Sequence, residues 1–447
     1  MRRQNPQLSL NCLGIDHDHA KELAMISRIL DDNPCIKELV EQDLFRGLSN
    51  PETGAPGMTG NQVLRALIVK QMNGFSYEEL SFHLADSVSY RTLCGYGAFE
   101  PTPSRSTLAD NIKKVRQETL SEINRHLVTY AKKKRIDSGR KVRIDATVVE
   151  TNIHYPTDSR LLFDGVRVLT RILRQLKELG CEVSFSNHVK RAKRRMLASQ
   201  NARTQKDRKA AYRDLTRVTS LCVGYVEGAR DLILTSMVIT EPVRELVGLL
   251  SHYLDLVRRV IDQTERRVFK GQKVPTGEKV VSLFESHTDI IVKKRRETLF
   301  GHKVFLTGGD SGLILDCLIV RGNPADTDLA IPMLQRQTEI YGRSPRQASL
   351  DGGFASKENL VAGKALGVKD LCFSKKRGLE IADMVKSTWV YKKLRNFRAG
   401  VEGMISFLKR AFGMDRCTWK GLASFGSYVM ASVVTANLLT LARHFLC

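Results

Sequence analysis

The chain has 447 residues, 42% of them hydrophobic and 7% aromatic, enough for two or three globular domains with a sizeable core. Lys and Arg outnumber Asp and Glu by 71 to 48, a net charge of +23 that points to a polyanionic partner, because each cation near a phosphate releases a condensed counterion. The nine cysteines are scattered and odd in number, with no C-x-x-C pair. That argues against a zinc knuckle or a redox pair and reads as free thiols in a reducing cytoplasm.

Residues 18–47 have helical spacing, with Asp18 as the expected cap. The preceding Asp16-His17-Asp18-His19 reads as a solvated helix start, since adjacent residues cannot all face one ion. Residues 59–116 form a set of short helices. Val63, Leu64, Leu67, Ile68 and Met72 share one face, Asn73-Gly74 ends that helix, and Ser76-x-x-Glu79 is a capping box for the next. Pro103-Ser104-Arg105-Ser106-Thr107 opens a further helix expected to run through Ile112 and Val115. Short helices, tight turns and a basic last helix fit a helix-turn-helix, in which Arg105, Lys113, Lys114 and Arg116 contact groove and phosphate. A generic bundle with a solvated basic face fits the same pattern.

A basic stretch, 131–140, leads into a strand over Lys141–Val149, with Arg143, Asp145 and Thr147 on one face. Residues 160–270 are almost wholly helical in pattern. The run Leu162 to Leu176 and the run Val243 to Val260 suit an antiparallel pair. Between them, residues 190–217 hold eleven Lys and Arg against Asp207 and Asp214. Lys190, Arg191, Arg194 and Arg195 lie in that block. It is either a solvated face or, as its self-repulsion favours, a DNA-backbone contact.

Short apolar runs at Val280–Phe284 and Ile290–Val292 have strand character. Lys303–Thr307 and Leu313–Val320 flank Gly308-Gly309-Asp310-Ser311-Gly312, a hairpin signal. A helix is expected near 326–341, a strand at Gln347–Leu350, a helix from Ser356 and a strand at Val368–Phe373. The basic segment 375–396 then leads to a helix expected from about Phe397 to Phe412. Phe425 to Ala442 is uncharged and approaches a membrane span in length, but Ser427, Ser432, Thr435, Asn437 and Thr440 mark it as a buried C-terminal helix.

With the helical insertion set aside, the order from residue 141 is strand, hairpin, helix, strand, helix, strand, helix. That is the order of an α/β, RNase H-like domain: a mixed sheet flanked by helices. Asp145 falls in its first strand, Asp351 at the end of its fourth, and Glu402 in the last helix. Carboxylates in those three places suit two Mg²⁺ ions, each a hard cation that prefers oxygen ligands, for phosphoryl transfer. Each also has a plain reading: Asp145 a paired strand aspartate, Asp351 a turn residue before Gly352-Gly353, Glu402 a surface residue. Glu150, on the opposite face, reads as structural. Asp310 and Asp316 fall at the hairpin turn and outer strand. The two glycines are expected to let the chain turn away sharply after Asp351.

These blocks resemble bacterial insertion-sequence transposases of the DDE class, closest to the ISNCY group. The resemblance rests on Arg143-Ile144-Asp145-Ala146-Thr147-Val148-Val149-Glu150-Thr151-Asn152-Ile153 and Tyr155-Pro156-Thr157-Asp158-Ser159. It rests also on Phe300-Gly301-His302-Lys303-Val304, Gly322-Asn323-Pro324-Ala325-Asp326 and Asp351-Gly352-Gly353-Phe354-Ala355. The glutamate block is Asn396-Phe397-Arg398-Ala399-Gly400-Val401-Glu402-Gly403 with Phe407-Leu408-Lys409-Arg410. The stretch 76–108 is similar to the N-terminal domain of the same group. Related transposases carry Tyr, Arg, Glu and Lys at fixed spacing around the glutamate. Arg398, Glu402 and Lys409 fit, whereas Arg395 stands at the Tyr position. On a helix, Arg398, Glu402 and Lys409 share one face, either as DNA contacts or as an ion-pair ladder.

The resemblance implies an N-terminal helical DNA-binding domain over 1–135, and a catalytic domain over 141–420 interrupted by a helical insertion at 160–275. A C-terminal helix over 421–447 completes it. It implies recognition of terminal inverted repeats in double-stranded DNA, cleavage of the element ends and transfer to target DNA. Asp145, Asp351 and Glu402 would hold two Mg²⁺ ions, with Mn²⁺ as a substitute. A homo-oligomer acting in the bacterial cytoplasm on nucleoid DNA, with no membrane, is the implied setting. A catalytically silent DNA-binding regulator derived from a transposase is the alternative, and a sequence-tolerant nuclease of the same superfamily a third reading.

Overall fold

The computed structural model describes residues 16–48, 57–97, 100–235, 239–292 and 297–447. Cys12 lies outside them; the remaining eight cysteines are unbridged thiols. The chain divides into two compact units, 1–152 with 291–447, and 153–290.

In the first unit, α1 (Asp18–Asp31) and α2 (Cys35–Phe45) precede α3 (Gly60–Asn73). The cap of α1 is His17, whose ring accepts from the His19 N–H, rather than Asp18. Asp16 instead pairs with Lys21 at 2.6 Å, so the acidic-histidine cluster is a helix start. Helix α3 ends at Gly74 with φ +67°, a left-handed position that costs glycine nothing. The Ser76–Glu79 capping box opens α4 (Tyr77–Asp86), and α5 (Val88–Leu93), α6 (Arg105–Ile112) and α7 (Gln117–Lys133) follow. Helix α6 stops at Ile112, short of Val115, because the Arg116 N–H is taken by the buried Asp43 carboxylate at 2.9 Å.

Strand β1 (Lys141–Glu150) leads into the second unit, made of α8 (Asp158–Glu178), α9 (Val189–Asn201), α10 (Gln205–Leu234) and α11 (Glu241–Thr264) around a core of its own. Asp158, at the start of α8, binds Gln263 and Arg267 beyond the end of α11, while a Cβ on Gly165 would meet Val257 at 2.9 Å. The two helices therefore run antiparallel and in close contact. Residues 280–284 do not form the expected strand. Gln263 satisfies both backbone groups of Val280, so its apolar side chain is buried without a ladder.

The sheet adds β2 (Asp289–Val292), β3 (Thr298–Gly308), β4 (Ile314–Val320), β5 (Gln347–Leu350) and β6 (Asp370–Phe373). Its order is β2-β3-β1-β5-β6, with β4 also on β3. β1 pairs antiparallel with β3 and parallel with β5, and β5 pairs parallel with β6. This is a mixed sheet in a mixed α/β unit whose N-terminal region is mostly helical. Helix α12 (Asp326–Tyr341) connects β4 to β5, and α13 (Lys357–Ala365) connects β5 to β6. After the short α14 (Ile381–Met384), α15 (Thr388–Ala411) starts nine residues before the expected Phe397, capped by Ser387.

Helix α16 (Leu422–Leu446) is long and apolar enough to cross a membrane, yet 94% of its most apolar window is buried within the protein. Its polar groups are spent inside. Asn437 takes the N–H and the C=O of Ile314, both at 2.8 Å, and Ser432 meets the Gln71 amide at 2.8 Å. A helix with such partners is a core helix. Helices α1–α7 share this core with the sheet.

Candidate active site

Asp145 and Asp351 meet through strand register. Ile144 on β1 pairs with Leu350 on the parallel β5, so the next residue of each strand, both carboxylates, lies at the same level. Helix α15 crosses this end of the sheet. The Ser349 hydroxyl donates to the Leu394 carbonyl at 2.9 Å, and Arg143 donates to the Phe397 carbonyl at 3.2 Å. Val401, Met404 and Leu408 are buried against the sheet, as the helical face of Arg398, Glu402 and Lys409 requires.

Arg398 is the centre of the cluster. Its Nη2 lies 2.7 Å from Asp145 Oδ2 and 3.0 Å from Asp351 Oδ1, and its Nη1 lies 2.9 Å from Glu402 Oε1. Three carboxylates from β1, the end of β5 and α15 thus converge on one guanidinium, leaving a formal charge of −2 when all are ionised. The cluster grades from interior to solvent: the Asp145 side chain is 13% exposed, Asp351 35% and Glu402 68%.

Burial pushes the Asp145 carboxyl up to about 6, helped by the neighbouring Asp351 charge and opposed by Arg398 and the Ala146 N–H. Asp351 behaves oppositely. Burial works against its charge, but Arg398, the Ser374 hydroxyl and the N–H groups of Gly352 and Gly353 outweigh it and hold the pKa below the ordinary value. Environment therefore separates two adjacent carboxylates of the same kind.

Ser374 was not foreseen from the sequence. Its hydroxyl donates to Asp351 Oδ1 at 2.9 Å and accepts from the Gly352 N–H at 2.8 Å. No local sequence signal marks it: only the parallel pairing of Leu350 with Phe373 makes the residues after them neighbours. The two glycines serve close packing rather than a left-handed turn. A Cβ on Gly352 would lie 2.7 Å from Lys375 Cβ, and one on Gly353 would lie 2.4 Å from Asp326 Oδ2.

An open cleft of about 650 Å³ lies beside the cluster, lined by Asp145, Thr147, Glu402, Ser406, Lys409 and Asp415 among others. Lys409 pairs with Asp415 at 3.1 Å, so the ion-pair ladder covers Arg398 and Glu402 but does not extend to Lys409. Other acidic residues are accounted for elsewhere. Glu150 pairs with Arg416 at 2.6 Å, Asp310 with Lys141 at 3.1 Å and Asp316 with Arg336 at 2.5 Å.

The expected nucleic-acid contacts are dispersed. Arg105 is exposed near Glu78, Lys113 lies 5.8 Å from the Tyr77 ring centroid, and Lys114 is exposed. Arg116 is tied to the buried Asp43 at 2.5 Å. In the second unit, Arg191 and Arg195 both clasp Asp214 at 2.5 Å, whereas Lys190 and Arg194 are exposed.

Hard oxygen donors on three rigid elements, gathered by a cation and retaining negative charge, suit a divalent metal ion. Among the described residues no three His, Cys, Asp or Glu side chains stand close enough to share one ion as they are; the Arg398 guanidinium stands between the three carboxylates.

Residues 14–114 match the family described as a transposase domain (DUF772), and residues 255–438 match the family described as a transposase DDE domain. The second match contains Asp351, Arg398, Glu402 and Lys409; Asp145 lies upstream of it. No curated protein and no solved structure matches the chain. Occurring in one chain, the two family matches support an insertion-sequence transposase family.

Proposed function

We propose that the chain cleaves and rejoins DNA at the ends of an insertion sequence of the ISNCY-like kind, with Asp145, Asp351 and Glu402 as its catalytic carboxylates. The convergence of these three on Arg398 carries the reading. The sheet supports an RNase H-like assignment, since the strands β4-β3-β1-β5-β6 place one carboxylate in the central strand and the next beside it.

Two Mg²⁺ ions, or Mn²⁺ in their place, would be held by the three carboxylates and would activate the attacking oxygen and stabilise the leaving one. The protein's own groups do the rest. Ser374 and the Gly352 and Gly353 N–H groups keep Asp351 ionised and aimed. Burial keeps Asp145 eager for a cation. Lys409, at the cleft wall with Asp415 as its present partner, is placed to take a phosphate of the bound strand. Arg398 offers the same charge once the carboxylates have another cation.

Terminal inverted repeats and target DNA are the proposed partners, and a homo-oligomer on DNA in the bacterial cytoplasm, near the nucleoid, is the proposed working form. Arg105, Lys113, Lys114 and Arg116 of an N-terminal DNA-binding domain over 1–135, with Lys190, Arg191, Arg194 and Arg195, are proposed to hold the duplex. The rest of the proposed division is a catalytic domain over 141–420, with its insertion at 160–275, and a C-terminal helix over 421–447. The complete triad speaks against a catalytically silent regulator. The test is a cleavage assay on the DNA flanking the reading frame, with and without Mg²⁺. Metal-dependent nicking at the element ends is expected; binding without nicking at any metal concentration would leave the regulator.

A further inference from the structure

The basic segment 375–396 has no part in the carboxylate cluster, yet its latter half forms the first turns of α15. Trp389 stands there with 66% of its surface exposed. The chain has two tryptophans, and the other, Trp419, is 9% exposed and packed on Tyr428. An isolated exposed apolar side chain is ordinary. This one is not isolated from charge. Lys393 Nζ lies 5.1 Å from its ring centroid, and Lys386, Lys392, Lys393 and Arg395 are all exposed with no carboxylate partner among the described residues. Four cations within ten residues, none paired with a carboxylate among the described residues, repel one another, and a polyanion would relieve that repulsion.

Helical geometry arranges these groups for one kind of ligand. Trp389, Lys392, Lys393 and Asn396 share the outward face of α15, while Val390, Tyr391 and Leu394 face inward and are buried. Glu402 is thirteen residues further along the same helix, about 20 Å at 1.5 Å per residue. That is about six nucleotide steps at 3.4 Å, but at 100° per residue Glu402 points about 140° around the helix from Trp389, so a strand running from the carboxylates meets the tryptophan only after crossing over α15. A duplex backbone calls only for the lysines. An exposed indole offers a phosphate one N–H donor at most, whereas its flat face suits the face of an unpaired base, which every nucleotide offers without regard to sequence.

We infer that the outward face of the first turns of α15 is a binding platform for single-stranded DNA, with an unpaired base stacked on Trp389 and flanking phosphates on Lys392 and Lys393. The inference rests on DNA being the partner, as proposed above, but requires neither metal nor cleavage. It identifies a place, on the same helix as Glu402 but on another of its faces, where a strand freed by local opening of the duplex is held.

The chain carries its own reporter, since Trp389 is its exposed tryptophan. Intrinsic emission is titrated with an oligothymidylate and with a blunt duplex of matched length, in the full chain without metal. The single strand is expected to quench the exposed component, and the duplex to bind without comparable quenching. Trp389→Ala should weaken single-strand affinity about tenfold, measured by anisotropy of a labelled oligonucleotide, and leave duplex affinity unchanged. Trp389→Phe should restore most of that loss, which a merely structural role would not predict. Replacing Lys392 and Lys393 together by Gln should lower the salt slope for the single strand by about 1.4, at about 0.7 per phosphate contact. Single-strand binding with unquenched emission, equal affinity in Trp389→Ala, or equal quenching by the duplex would each overturn the platform while leaving the cleavage reading intact. Failure to bind either form of DNA would overturn both.

Discussion

Asp145→Asn should make the metal-free protein more stable at neutral pH while abolishing strand cleavage. Asp145 is mostly buried, and its pKa rises from 3.8 to about 6 even with Arg398 alongside. A raised carboxylate pKa means that folding favours the protonated form. The native state therefore binds more protons than the unfolded state between those two values, and stability falls as pH rises through that window. The rise corresponds to roughly 3 kcal/mol, fully lost above the folded value. Asparagine has no proton to lose and stands in for the neutral acid. The variant should match the parent near pH 4 and exceed it by up to about 3 kcal/mol near pH 8. Both tryptophans belong to the first unit, so denaturant melts followed by their emission read the unit that contains the site. A gap of equal size at the two pH values, or a variant less stable than the parent near pH 8, would refute the argument. Stability gained with activity lost is the mark of a group kept for function.

Asp351→Asn and Glu402→Gln should each reduce nicking of terminal DNA on the order of a hundredfold or more with end binding retained; near-normal nicking in either would remove that residue from the site. Lys190→Gln with Arg194→Gln should lower the salt slope for duplex DNA by about 1.8, at about 0.9 per phosphate, because both are exposed, whereas an unchanged slope would mark that face as merely solvated. Arg191→Gln with Arg195→Gln should change the slope less, since those two are engaged by Asp214. Asn437→Leu should cost about 2–4 kcal/mol in denaturant melts, because it strips the partner from the Ile314 N–H and from Asn124 Oδ1 and leaves the Ile314 carbonyl only the Asn124 amide at 3.3 Å, and a loss under about 1 kcal/mol would mean that α16 is not seated there.

Where local chemistry decides structure, the residues were enough. The Ser76–Glu79 capping box, the glycine end of α3, the Gly308–Gly312 hairpin and the helix over Asp326–Tyr341 all lie where their sequences put them. Each depends on hydrogen bonds and dihedral preferences within a few residues. Expectations failed where the deciding partner is distant. Val280–Phe284 has the apolar content of a strand, but Gln263 takes the backbone groups that a ladder would have used. Helix α6 stops early because Asp43, over seventy positions away, claims the next free N–H. The start of α15 is masked by its charge: lysines and arginines surround Val390, Tyr391 and Leu394, whose spacing alone is too short a run to mark a buried helical face.

The same division runs through the candidate site. The candidacy of Asp145, Asp351 and Glu402, and the shared face of Arg398, Glu402 and Lys409, follow from element order and helical periodicity, which are properties of the chain taken locally. That Arg398 turns inward to reach Asp145 and Asp351 as well as Glu402, and that Ser374 fastens Asp351, are decided by the tertiary structure alone. The reason is electrostatic. A long cationic side chain takes whichever anions the fold brings within its reach, and only the register of β1 against β5 and the crossing of α15 bring these together.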